Sequence, residues 1–184
     1  MNNERRFKIA VLGSASDSEY SESGEKAQRI GRAVAAYRGV LLTGGCPGLP
    51  HAAAMGASAA GGLTVAVSPA MDRTGHVTEY LYPQDSDVIM YTGMGRKGRN
   101  VILVRSADAG IFVSGGMGTL NEFTIAVDEL GPDCAIGVLA GSGGLSDEFP
   151  DLVARVGKPT RALLIVDGNP ETLVQKLFAH LRRR

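Results

Sequence analysis

The 184 residues contain no tryptophan, two cysteines, three histidines and few aromatic residues of any kind. Two cysteines, Cys46 and Cys134, cannot build a disulfide framework, and neither stands at metal-ligand spacing from a histidine, so no metal site is expected and a reducing, cytoplasmic compartment fits. No apolar stretch approaches the length of a membrane-spanning helix. The opening residues 1–6 lead into a strand-length apolar run rather than a signal-peptide core. Charge of one sign is also lacking: 19 basic and 19 acidic side chains leave a formal net charge of zero. No global field would therefore draw the chain to DNA, RNA or an anionic membrane. The one terminal basic cluster, 182–184, reads as a solvated end.

Two familiar nucleotide signatures are absent as well. The first strand candidate leads into Gly13-Ser14-Ala15-Ser16 with no G-x-G-x-x-G, and the second ends at Thr43 rather than at an acidic residue that would hold a ribose. There is no G-x-x-x-x-G-K-[ST]. NAD-dependent and P-loop chemistry are both disfavoured.

A hydrophobic content of 44% over this length is enough for one core, and no linker divides the chain, so residues 1–184 are expected to form a single domain. Strand-length apolar runs fall at 8–12, 40–43, 63–67, 87–91, 110–113, 135–139 and 163–166. Several are apolar nearly throughout, as strands covered on both faces should be. Helical patterns lie between them, at 23–37, 50–60, 98–106, 119–130, 146–156 and 170–182, many ending at Gly or Pro. That alternation predicts a doubly wound α/β fold: a mostly parallel sheet of about seven strands with helices on both faces, Rossmann-like, with its ligand at the carboxyl ends of the strands.

Two glycine turns occupy such ends. Ser114-Gly115-Gly116-Met117-Gly118-Thr119-Leu120-Asn121-Glu122 makes a strand end, a turn and a helix start, and Thr43-Gly44-Gly45-Cys46-Pro47-Gly48 repeats the design. The amides of Gly44, Gly45, Cys46 and Gly48, and of Gly115, Gly116, Met117, Gly118 and Thr119, are candidates to hold a phosphate or another oxyanion. Gly13 and Ser14 either join them or form a plain turn. The run 96–100 either clamps phosphate or is a solvated charge cluster, with Arg99 and Asn100 opening the helix while Arg96 and Lys97 precede it in the loop. Glu122 has two readings. With Thr119 it spells a Thr-x-x-Glu capping box; freed from that, it faces the cleft as a general base or as a stabiliser of an oxocarbenium ion. Cys46 is either a thiol activated by a helix start or a small residue in a tight turn. His51 and His76 have no evident partners and read as surface or supporting residues. Residues 68–84 lack periodicity, as a flap over the pocket or an extended surface loop would, and Gly141-Ser142-Gly143-Gly144 also borders the site region.

Thr43-Gly44-Gly45 and Gly115-Gly116-Met117-Gly118-Thr119-Leu120-Asn121-Glu122 resemble the paired glycine motifs of the LOG, or lysine decarboxylase-like, Rossmannoid proteins. That family includes phosphoribohydrolases, which release a base from a nucleoside 5′-monophosphate. The resemblance implies that Arg99, counted back from Ser106-Ala107-Asp108, stands at the family's catalytic arginine and Glu122 at the glutamate of its G-G-x-G-T-x-x-E motif. Ser114 stands where the family has proline, Asn100 where it has lysine, and Cys46-Pro47-Gly48-Leu49-Pro50 replaces Gly-x-x-Gly-Leu-Met. In these departures the chain resembles a sister group, the molybdenum cofactor carrier proteins, through Thr43–Pro50, Ser68-Pro69-Ala70, Tyr91-Thr92-Gly93, Arg105–Asp108, Gly118–Phe123 and Gly137-Val138-Leu139. This second resemblance implies a homodimer or homotetramer that binds a phosphate-bearing small molecule. It requires no cofactor for chemistry, and molybdenum cofactor or molybdate would be its cargo; the alternative is a phosphoribohydrolase using Arg99 and Glu122. Lysine decarboxylation would need pyridoxal phosphate on a lysine, and Lys97 is the single site-adjacent candidate.

Overall fold

The computed structural model describes residues 5–183. Seven strands, β1 (Lys8–Gly13), β2 (Val40–Thr43), β3 (Leu63–Ser68), β4 (Val88–Tyr91), β5 (Ala109–Val113), β6 (Ala135–Leu139) and β7 (Leu163–Asp167), form one sheet, parallel throughout, in the order β4-β3-β2-β1-β5-β6-β7. The chain winds outward from β1 in one direction, returns, and winds in the other from β5. The order therefore reverses between β1 and β5, where a crevice opens beyond the strand ends.

Six helices connect the strands: α1 (Glu22–Ala36), α2 (Leu49–Ala59), α3 (Gly95–Ser106), α4 (Met117–Glu129), α5 (Phe149–Val156) and α6 (Pro170–Leu181). Alternation along each strand assigns them to faces. Ile9 and Val11 of β1 point into a core shared with α1, α2 and α6, whereas Ala10 and Leu12 point into one shared with α3, α4 and α5. On the second face Phe123 stacks on Phe149 with ring centroids 4.1 Å apart and meets Phe112 edge-on at 5.2 Å, which fixes α4 against β5. On the first face α1 and α2 touch backbone to backbone. A Cβ on Gly31 would lie 1.9 Å from the Ala53 carbonyl oxygen, and one on Gly56 would lie 2.0 Å from that of Gln28.

Two helix starts differ from expectation. α3 begins at Gly95, so Arg96 and Lys97 belong to its first turn rather than to a preceding loop. α4 begins at Met117 with Gly116 as its N-cap, which makes Thr119 the third helical residue rather than the cap. The expected helix over 146–156 is a 3₁₀ turn, Gly144–Glu148, followed by α5. The unpatterned segment 68–84 contains a π-helical turn, Gly75–Glu79. At the chain's end Arg182 is not merely solvated, because its guanidinium lies over the Tyr37 ring at 5.2 Å and the Phe178 ring at 5.8 Å. The opening residues 1–4 and Arg184 lie outside the described residues.

Candidate functional site

A cleft of about 520 Å³ lies at the point where the strand order reverses. Gly13 and Ser14 end β1 on one side, Gly116, Gly118 and Thr119 open α4 on the other, and Cys46, Arg99, Asn100 and Glu122 also line it. Gly44, Gly45, Gly48, Gly115 and Met117 are not among its lining residues. The reason is local. The Gly45 amide donates to Thr43 Oγ1 (3.1 Å) and the Gly48 amide to Glu19 Oε1 (3.2 Å), so the first turn spends two of its amides internally. Met117 is 72% exposed on the outer side of α4.

Gly44 has a different task from the one its sequence suggests. A Cβ there would stand 2.2 Å from Arg99 Nη1, so the absence of a side chain makes room for the guanidinium. Arg99 reaches this seat from near the start of α3 and is 4% exposed. Its Nη1 donates to Glu122 Oε1 at 3.2 Å, while its Nε has no partner among the described residues. Glu122 thus pairs with Arg99 and the capping-box reading fails, because the cap position belongs to Gly116 and Thr119 is already inside the helix. Burial pushes the Glu122 carboxyl up to about 7, against the opposing pull of Arg99 and Lys97. Asn100 lines the cleft with its Nδ2 donating to Asn121 Oδ1 at 2.9 Å, which ties α3 to α4 beside the ion pair.

At the mouth of α4 the first amides face away from their own helix. A Cβ on Gly116 or Gly118 would meet nothing within 4 Å, and both glycines line the cleft, so nothing crowds the start of α4 on that side. Ser114, just before them, holds φ at 52°, a left-handed conformation unusual for a residue with a side chain. Its hydroxyl donates to Asp17 Oδ2 (2.9 Å), and Asp17 Oδ1 accepts from Ser14 Oγ (2.8 Å). One carboxylate therefore joins the loops that follow β1 and β5. The Gly141–Gly144 run braces the same turn from behind: the Ser114 amide donates to Ser142 Oγ (2.9 Å), and Leu145 donates to the Gly115 carbonyl (2.8 Å).

Three further residues had open readings or no evident partners in the sequence. The Cys46 thiol is buried and pushed up to about 11, the opposite of activation at a helix start. His76 is fully buried, with Nε2–H donating to the Pro83 carbonyl and Nδ1 paired with Ser68 Oγ, each at 2.8 Å. His51 bridges Glu19 (2.5 Å) and Asp85 (2.8 Å), and although burial works against its charge, those two carboxylates raise its pKa overall. Both histidines thereby anchor the segment after β3, which delivers Tyr80 and Tyr82 to the cleft wall. No spacing marks these tyrosines in the sequence, and Asp17 is marked only by its place in a Ser14-Ala15-Ser16-Asp17 turn.

Cations predominate around the cleft, with Arg96, Lys97 and Arg99 against the single carboxylate of Glu122. Among the described residues no group of three or more His, Cys, Asp or Glu side chains is placed to hold a metal, and no helix is long and apolar enough to cross a membrane. The arrangement suits an anion held by the α4 amides and reached by Arg99.

Known proteins share this architecture. A molybdenum cofactor binding protein from the phototrophic bacterium Rippkaea orientalis is 25% identical, with a TM-score of 0.76 over 96% of this chain and 98% of its own. The molybdenum cofactor carrier protein of Chlamydomonas reinhardtii is 26% identical, with a TM-score of 0.76 over 98% of this chain and all of its own. An uncharacterised protein of Archaeoglobus fulgidus is 38% identical over 123 residues, 67% of this chain and 75% of that one. The SLOG cluster4 family matches residues 6–174, nearly the whole chain, and the chain belongs to that family, within the LOG-like Rossmannoid superfamily.

Proposed function

We propose that the protein holds a small phosphate-bearing molecule of the molybdenum cofactor type as cargo, with the amides of Gly116, Gly118 and Thr119 receiving the phosphate and Arg99 closing on it. The observation that carries this reading is the buried guanidinium of Arg99, one nitrogen without a partner, beside the open start of a 13-residue helix at the sheet's switch point. The binding and carrier proteins of Rippkaea and Chlamydomonas support it. The test is retention of molybdenum cofactor, or of molybdate alone, through gel filtration of the purified protein. Arg99→Gln should release either ligand at least about tenfold more readily, since a charge-assisted contact of roughly 1.5–3 kcal/mol is lost.

One observation favours a second reading. Glu122 is free of the helix cap and has a pKa near neutrality, as a residue that must both give and take a proton requires. With a nucleoside 5′-monophosphate in the cleft it would support the oxocarbenium ion as the C1′–N bond breaks and accept a proton from the attacking water, yielding ribose 5-phosphate and free base. Incubation with AMP and other nucleoside monophosphates separates the two readings. Release of base that is lost in Glu122→Gln would overturn a pure carrier.

A further inference from the structure

A second cavity, of about 590 Å³, opens at the other end of the sheet, where β1 and β2 begin and α1 and α6 end. Arg5, Arg6, Arg38 and Arg182 line it beside Phe7 and Tyr37, and no acidic residue among those described does so. Arg5 is held by the Asp108 carboxylate at 2.8 Å. Arg6, Arg38 and Arg182 have no carboxylate partner among the described residues. Arg182 is positioned instead by the Tyr37 and Phe178 rings, at 5.2 and 5.8 Å, which fix its guanidinium and leave the N–H donors unspent.

Arg38 carries the argument furthest. It holds φ at 59°, a left-handed position that glycine fills without strain, yet it bears a long cationic side chain. That side chain is not needed to finish α1, because the amides of Tyr37, Arg38 and Gly39 already reach the carbonyls of Ala33, Ala35 and Val34. Nor does the field of the helices account for the cluster. The carboxyl ends of α1 and α6 present about half a negative charge each, so one cation would balance both, whereas three of these arginines lack a carboxylate. We propose that the four arginines form a second anion site, for a small ligand carrying a chain of two or more phosphates. Guanidinium forks take phosphate oxygens two at a time, and here they converge on one concavity from three segments: before β1, after α1 and after α6. A lone phosphate would occupy one or two forks and leave the others repelling one another. The Tyr37 ring is already stacked on Phe178 at 4.8 Å, so the pocket reads phosphate rather than a base. This site stands apart from the cleft and does not depend on what the cleft holds.

Calorimetric titration of the full-length chain with inorganic tripolyphosphate, adenosine 5′-triphosphate and inorganic phosphate, all at one ionic strength, tests the site. Tripolyphosphate should bind at least about tenfold more tightly than phosphate, and the nucleotide should match tripolyphosphate. Arg38→Gly keeps the left-handed turn while removing the guanidinium, so it should melt close to the wild type and yet bind tripolyphosphate about tenfold more weakly. Arg6→Gln, at an exposed position, should weaken binding in the same direction. Arg99→Gln, which disables the cleft, should keep the tight tripolyphosphate site. Affinity unchanged in Arg38→Gly, or lost in Arg99→Gln instead, overturns the proposal. So does a wild type that binds tripolyphosphate no better than phosphate, or that binds only the nucleotide.

Discussion

Replacing Glu122 by glutamine separates the burial of a charge from the ion pair that the charge forms. The carboxyl is 7% exposed and 3.2 Å from Arg99, yet burial outweighs the guanidinium and moves its pKa from the ordinary 4.5 to about 7. Folding therefore favours the protonated form. Below the unfolded pKa the side chain is neutral in both states and its contribution is complete; as pH rises through the folded value, the native protein must carry a buried carboxylate that the unfolded chain carries in water. At about 1.4 kcal/mol for each pH unit of separation, roughly 3 kcal/mol of stability is lost across that window. Glutamine keeps an acceptor for Arg99 Nη1 and cannot ionise. Urea unfolding should find the two proteins about equally stable near pH 4 and Glu122→Gln more stable by about 3 kcal/mol near pH 8.5. His51 and the other titrating groups are common to both and cancel in the difference. A wild type more stable than the variant near pH 8.5 would mean that the attraction of Arg99 exceeds the burial penalty, and would refute the reasoning.

Gly44→Ala should drive the guanidinium from its seat at a cost of about 1–3 kcal/mol and weaken anion binding with it; an unchanged melting temperature and affinity would show that the seat is dispensable. Gly31→Ala, with a methyl 1.9 Å from the Ala53 carbonyl, should part α1 from α2 and cost about 3 kcal/mol or more in chemical denaturation. At Ser114, where φ is 52°, glycine should be tolerated within about 1 kcal/mol, the value of the hydrogen bond to Asp17, whereas proline, fixed near −65°, should abolish anion binding in titrations. An anion bound beside Glu122 should raise its pKa further, so binding near pH 8 should take up a proton. Calorimetry in two buffers of different ionisation enthalpy measures that uptake.

The strands were legible because burial on both faces writes itself as uninterrupted apolar runs, and each of the seven begins and ends within one residue of its sequence pattern. The switch-point cleft followed from that alternation together with glycine turns at strand ends. Helix starts were less legible. α3 opens at Gly95 without a Ser, Thr or Asp to mark it, and Thr119 carried a capping signature that the fold does not use, since Gly116 caps α4 and Arg99 captures Glu122. Arg99 and Glu122 were found by motif, but Gly44's service to Arg99 is a contact between a strand end and a helix 55 positions later, invisible to local spacing. The same holds for Asp17 and Ser114, 97 positions apart, and for Tyr80 and Tyr82, whose segment owes its order to two histidines rather than to any period.

The left-handed turn at Ser114 also sets what position 114 can hold. Proline, confined to negative φ, would demand a different backbone there and would remove the hydroxyl that Asp17 accepts from. Glycine would keep the turn and lose the tie. One side chain therefore decides both the path of the chain into α4 and whether a single carboxylate latches the loops after β1 and β5 together.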